Sequence, residues 1–167
     1  MLSKTDKNPQ LNLMEVPLVH FINLEHELCR LAKNMNWDEI EKDFAGYYSN
    51  TGAPSLPLRI MVGLKLLKLA FEAGDTAVLE QWIENPYWQY FCGEITFKHQ
   101  APCSTSEFNH FRKRIGKDGE EKMHKLAINT FGKARIEKGL KAEERRKKGR
   151  KPGLLDILGG IRLGRRK

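Results

Sequence analysis

Apolar positions recur at helical spacing along most of the chain. In "LVHFINLEHELCRLAKNM", Leu18, Phe21, Ile22, Leu24, Leu28 and Leu31 repeat near the 3.6-residue period, and Pro17 suits a first helical position. The pattern predicts one helix from Pro17 through this stretch. Asn36 is placed to cap "WDEIEKDFAGYY", with Glu39 three residues on and Trp37, Ile40 and Phe44 on one face. Residues 49–57, "SNTGAPSLP", have loop composition. From 57 to 73, Met61, Lys65, Lys68 and Glu72 share one narrow stripe, and apolar residues cover the remaining girth. Such a helix is surrounded by others. Gly63 on its apolar side admits a close neighbour, Gly74 reads as its left-handed terminator, and Asp75 as the cap of the next helix. Pro86 opens another short helix, "PYWQYFCG". The stretch "EITFKHQAP", 94–102, alone has strand character and is too short to found a sheet. The class that follows is all-α: a compact bundle of about six or seven helices.

In "PCSTSEFNHFRKRIG", Ser104 and Glu107 match a capping box, so a helix should begin at Thr105, and Gly116 should close it. Phe108, Phe111 and Ile115 fall within about 60° of arc and form a core-facing seam. Asn109, His110, Lys113 and Arg114 point the other way. Arg112 sits at the seam's border, where it either pairs with an acid or joins the outward face. A short capped helix after two short ones has the geometry of a helix-turn-helix element. On that reading Lys113, Arg114, Arg112 and Lys117 hold phosphates, and Asn109 and His110 lie near base edges. The plainer alternative is an ordinary amphipathic surface helix.

Composition sharpens the picture. The 167 residues are 40% apolar and 30% charged. Residues 1–125 hold 15 Lys/Arg against 17 Asp/Glu, whereas 126–167 hold 14 against 4. A near-neutral body with a polycationic end suggests a polyanion partner, with a merely solvated tail as the alternative. Arg145, Arg146, Lys147 and Lys148 belong to that end. The organisation expected is a flexible arm at 1–15, a helical body at 16–138 and a basic, disordered tail at 139–167. The apolar run Leu56–Phe71 is interrupted by Arg59, Lys65 and Lys68, and the N-terminus has no signal-like core, so neither a membrane span nor secretion is expected. Cys29, Cys92 and Cys103 are expected as reduced thiols. The donors Cys92, His99, Cys103 and His110 lack the tight paired spacing of a zinc site. No nucleophile elbow or P-loop occurs. Trp82, Tyr87, Trp88, Tyr90 and Phe91 suit core packing better than base stacking.

The strings "DFAGYYSNTGAPSLPLRIMVGLKLLK", "VLEQWIENPYWQYFCGEITF", "HQAPCSTSEFNHFRKRIG" and "IEKGLKAEERRKK", in this order, resemble the N-terminal region of bacterial insertion-sequence transposases of the IS-five family. The resemblance runs from about residue 15 to 148. It implies a helical domain that binds the element's terminal inverted repeats as double-stranded DNA, in the bacterial cytoplasm and nucleoid. It also implies a following catalytic domain whose Asp-Asp-Glu triad holds two divalent metals. The chain departs from that pattern after Lys148, where "GRKPGLLDILGGIRLGRRK" contains no Asp-Thr-Thr strand. That end reads as truncated or out of frame, so no cofactor and no strand-transfer chemistry are expected of this chain itself. Two alternatives stand beside DNA binding: a module that pairs with itself or with full-length transposase and inhibits it, and a decayed gene product.

Overall fold

The computed structural model describes residues 15–48 and 56–149. The arm before Glu15, most of the loop at 49–57 and the tail beyond Gly149 lie outside the described residues. Seven α-helices occur among those described: α1 Glu27–Asn34, α2 Trp37–Ala45, α3 Leu58–Ala70, α4 Asp75–Glu84, α5 Pro86–Phe91, α6 Thr105–Phe131 and α7 Lys133–Gly149. A single 3-10 turn, Leu18–His20, precedes them. The one extended pairing among the described residues is an isolated antiparallel bridge between Pro17 and Thr96, which gives the strand-like 94–102 stretch its partner.

Helix α3 is the axis of the bundle. Every residue in it except Arg59 and Ile60 is buried, and α2, α4, α6 and α7 pack around it. The sulfur of Cys92 and its backbone press on Gly63, where a Cβ would lie 2.7 Å from Sγ. The aromatic run closes the core: Trp82, Trp88 and Phe91 are buried, and Phe91 meets Trp37 edge-on at 5.6 Å. Asn36 and Asn85 cap α2 and α5 with their side chains; for Asn36 this is the predicted cap.

Three local expectations are corrected. The first predicted helix is divided: Pro17 opens only the 3-10 turn, and α1 starts at Glu27 with His26 as its cap. Two bonds pull the chain out of register. The Leu18 amide donates to the Ile95 carbonyl at 2.7 Å, and the Glu25 amide to Asn23 Oδ1 at 2.9 Å. At the end of α3 the left-handed residue is Glu72 (φ 55°), not Gly74. The Ala73 amide closes the turn on the Lys68 carbonyl at 3.0 Å, the six-to-one bond of a Schellman ending. Gly74 is then the N-cap of α4, and the Asp75 carboxylate is turned to Lys68 at 2.6 Å instead of capping. Finally, ordered structure continues past residue 138: α7 runs on to Gly149 and buries Gly139 against α3. Arg135 and Arg146 fasten it there. Arg135 Nε donates to the Ala70 carbonyl at 3.1 Å, and Arg146 donates to the Ala73 carbonyl at 3.1 Å and to that of Glu72. These cations meet the negative end of the α3 dipole.

Helix α6 begins as expected. The Glu107 amide donates to Ser104 Oγ at 3.2 Å, and the Ser104 amide donates to Glu107 Oε2 at 2.8 Å. Gly116 does break it, with φ 59° and ψ −161°, but helix resumes at once and reaches Phe131. The charges explain both facts. Arg112, Lys113 and Arg114 suit a helix end, and Asp118, Glu120 and Glu121 suit a helix start. That backbone region is open essentially to glycine alone, and a Cβ at 116 would touch nothing within 4 Å. Gly116→Ala is therefore expected to cost about 1–3 kcal/mol through the backbone alone, read as a lowered urea midpoint with an unchanged slope.

Candidate nucleic-acid interface

The first part of α6, 105–115, is fixed from behind. Phe108, Phe111 and Ile115 are buried, and α6 packs on α3 and α4. Asn109, His110, Lys113 and Arg114 are exposed on the opposite side, and Lys117 just beyond the break is exposed too. Among the described residues neither Lys113 nor Lys117 forms an ion pair with a carboxylate. Arg114 sits over the ring of Tyr48, just beyond the end of α2, its guanidinium carbon 4.6 Å from the ring centre. Burial pushes the Tyr48 hydroxyl up from its ordinary value, against the pull of Arg114. Next to it, Tyr47 donates to Asp118, and Lys122 pairs with Asp118 at 3.2 Å.

An open groove runs between α6 and α7. Asn109, Arg112, Lys113, Lys117 and Lys147 all line it, so five of the residues singled out from sequence come together. His110 and Arg114 lie outside it. Glu120, Glu121, Glu143 and Glu144 line the same groove. Its walls thus carry both signs.

Two of the candidates are turned toward other parts of the chain. Arg146 is turned onto the α3 carbonyls described above. Arg112 is turned inward, its side chain 24% exposed, among Asp75 at 3.7 Å, Glu120 at 3.7 Å and Glu143 at 3.4 Å. Arg145 and Lys148 are exposed at the end of α7. Lys147 is exposed and 3.7 Å from Glu143, one turn away. Residues 92–104 separate α5 from α6, a longer link than the 3–4-residue turn of a helix-turn-helix pair. Of the two short helices that precede α6, it is α4 that packs directly on it.

Sequence reasoning missed the ionic hub beneath the groove. Lys65 and Lys68 on α3 are 1% and 5% exposed. Lys65 Nζ reaches Glu120 at 3.0 Å, and Lys68 Nζ reaches Asp75 at 2.6 Å and Glu143 at 3.0 Å. Burial opposes ionisation of Glu143, yet Lys65, Lys68 and Lys147 overcome it and hold the carboxyl down at about 2. Burial pulls the Lys65 ammonium below the ordinary lysine value, although Glu120 and Glu143 resist. Four helices, α3, α4, α6 and α7, are joined at this point. The signal was present in the stripe holding Lys65 and Lys68 on an otherwise apolar helix.

Cys29, Cys92 and Cys103 are free and buried. Burial raises all three thiols, Cys103 to about 11. Among the described residues no three His, Cys, Asp or Glu side chains gather as metal ligands, and no helix is long and apolar enough to cross a membrane.

Comparison with known proteins gives the family. A Rhizobium meliloti protein described as "Uncharacterized protein ORF8 in nfe locus" is 42% identical over 109 residues, which are 65% of this chain and 53% of that protein. The chain thus spans about half the length of that relative. No solved structure matches the chain. The model of the family described as "Transposase domain (DUF772)" matches residues 16–114, from the bridge beside Pro17 to the last cation of the first α6 segment. The match covers more than half of the sequence, and the chain belongs to the DUF772 transposase-domain family.

Proposed function

We propose that this helical body is a DNA-binding part of a transposase and that it meets the ends of an insertion element through the outward side of α6. The observation that carries the reading is the fixed presentation of Asn109, His110, Lys113 and Arg114 on a helix whose other side is locked into the core. A rigid base lowers the ordering needed on binding. Lys113, Arg114 and Lys117 supply phosphate contacts, which position the duplex without reading it. Asn109 has the donor–acceptor pair that suits adenine. Arg145 and Lys148 extend the cationic surface along α7.

The test is a salt series on duplex DNA carrying element-end sequence. Lys113→Ala/Lys117→Ala is expected to weaken binding to every duplex sequence. It should also flatten the slope of log K against log[salt] by roughly 2, about 0.9 for each phosphate that is no longer neutralised. Asn109→Ala should instead reduce the preference for element ends over random duplex. Unchanged affinity in the double lysine variant would remove α6 as the contact surface.

A further inference from the structure

We propose that Arg112 forms the base of a phosphate pocket between α4, α6 and α7, which takes one backbone phosphate of bound duplex. The proposal rests on the reading that α6 lies against DNA. Thr76, Thr105, Asn109, Arg112 and Lys147 line this pocket, with Lys68, Asp75, Glu143 and Arg146 around them. It is separate from the open groove, but Asn109, Arg112, Glu143 and Lys147 border both. A strand laid along the outward side of α6 therefore passes the pocket mouth.

Each of these carboxylates has a lysine closer to it than Arg112. Lys68 Nζ, 5% exposed as a residue, holds both Asp75 and Glu143 at hydrogen-bonding distance. Arg146 is engaged on backbone carbonyls. Arg112 is not engaged to the same degree. Its closest carboxylate approaches are 3.4–3.7 Å, and its Nε is shielded from water with no hydrogen-bond partner. Charge-assisted N–H···O bonds run to about 2.7–2.9 Å, so the guanidinium is held among its three carboxylates by charge at a longer range than such bonds. The Arg112 side chain is 24% exposed, which leaves room for an acceptor to approach it from the pocket.

A phosphate suits what surrounds it. It offers several oxygens to a planar fork of N–H groups, a geometry for which arginine is better adapted than lysine. Lys147 adds a second cation on a long exposed stem, and Thr76 and Thr105 add hydroxyls on the two flanking helices. Helix α4 has no side-chain cap, so its first amides add to the same field.

The test uses the whole chain, a short mixed-sequence duplex and, separately, inorganic pyrophosphate. Arg112→Lys keeps the hub's charge and removes the fork; it is expected to weaken duplex binding roughly tenfold, the scale of a lost charged hydrogen bond, with thermal melting little changed. Lys147→Ala should lower the salt slope by about 0.9, and Thr76→Val should weaken binding without changing that slope. If Arg112→Lys does not fold, the Lys147 and Thr76 variants carry the test. Should these variants bind like the parent while Lys113→Ala/Lys117→Ala weakens, the pocket is overturned and the α6 reading survives. If the parent binds no duplex, both fall. If pyrophosphate raises the melting temperature through Arg112 while duplex affinity ignores Arg112, the ligand is a free phosphate and the DNA assignment is overturned.

Discussion

Replacing Gly139 with alanine is expected to lower the melting temperature of this protein by about 6–12 °C, the equivalent of about 3 kcal/mol. Helix propensity points the other way, since alanine in place of glycine inside a helix is worth about 1 kcal/mol of stabilisation. The reason for the reversal is the crossing of α7 over α3. A Cβ at 139 would lie 1.9 Å from the Leu69 carbonyl oxygen and 2.8 Å from its carbon. Those atoms are backbone of the central helix and cannot swing aside as a side-chain tip would. Helix α7 must lift, and lifting it strains the bonds from Arg135 and Arg146 to the end of α3. Gly46 is the control, because a Cβ there meets nothing within 4 Å. Gly46→Ala should leave melting unchanged. A Gly139→Ala protein as stable as its parent would mean that α7 does not sit on α3.

The second large effect is expected from Glu143→Gln. Its carboxylate faces Lys68 at 3.0 Å, Arg112 at 3.4 Å and Lys147 at 3.7 Å, and its side chain is only 13% exposed. Removing this charge leaves Lys68, Arg112 and Lys147 with one carboxylate fewer and costs about 3 kcal/mol. The pH dependence separates charge from shape. Lysines hold the folded carboxyl at about 2, below its ordinary 4.5. The stabilisation is therefore complete above pH 4.5, declines as the pH falls, and is gone below about 2. Parent and Glu143→Gln should differ most near neutrality and converge through that window in urea titrations. A difference that stayed constant down to the acid end would assign the loss to packing instead of charge.

Much of the fold was legible because its signals are local. The Ser104–Glu107 box, Asn36 and Pro86 each act within one turn, and all three behave as expected. The seam of Phe108, Phe111 and Ile115 needs only helical period. What failed depends on distant residues. Nothing near Pro17 announces that Ile95 will take the Leu18 amide. Gly74 is the natural helix terminator on composition, but Arg146, far along the chain on α7, binds the carbonyls of Glu72 and Ala73 and favours the earlier turn. The polar stripe of α3 carried no local sign of its partners, and its lysines meet carboxylates supplied by three other helices. Likewise α7 is too rich in charge to read as packed, because it docks through a glycine, Ile136 and arginine stems.

The candidate surface follows the same division. Which side of α6 faces outward was settled by periodicity. That Arg112 would turn inward, with Arg146 drawn to α3, required the partners to be in place.

The glycine at 116 has one more consequence. A continuous helix opens from its ends, and fraying that begins near Gly132 would spread along α6 toward its cationic turns. The non-helical residue divides that process, so amide exchange in 117–131 can proceed as its own cooperative unit. The segment 105–115 then depends for its shape on its cap and on α3, and its amides are expected to exchange independently of those of 117–131.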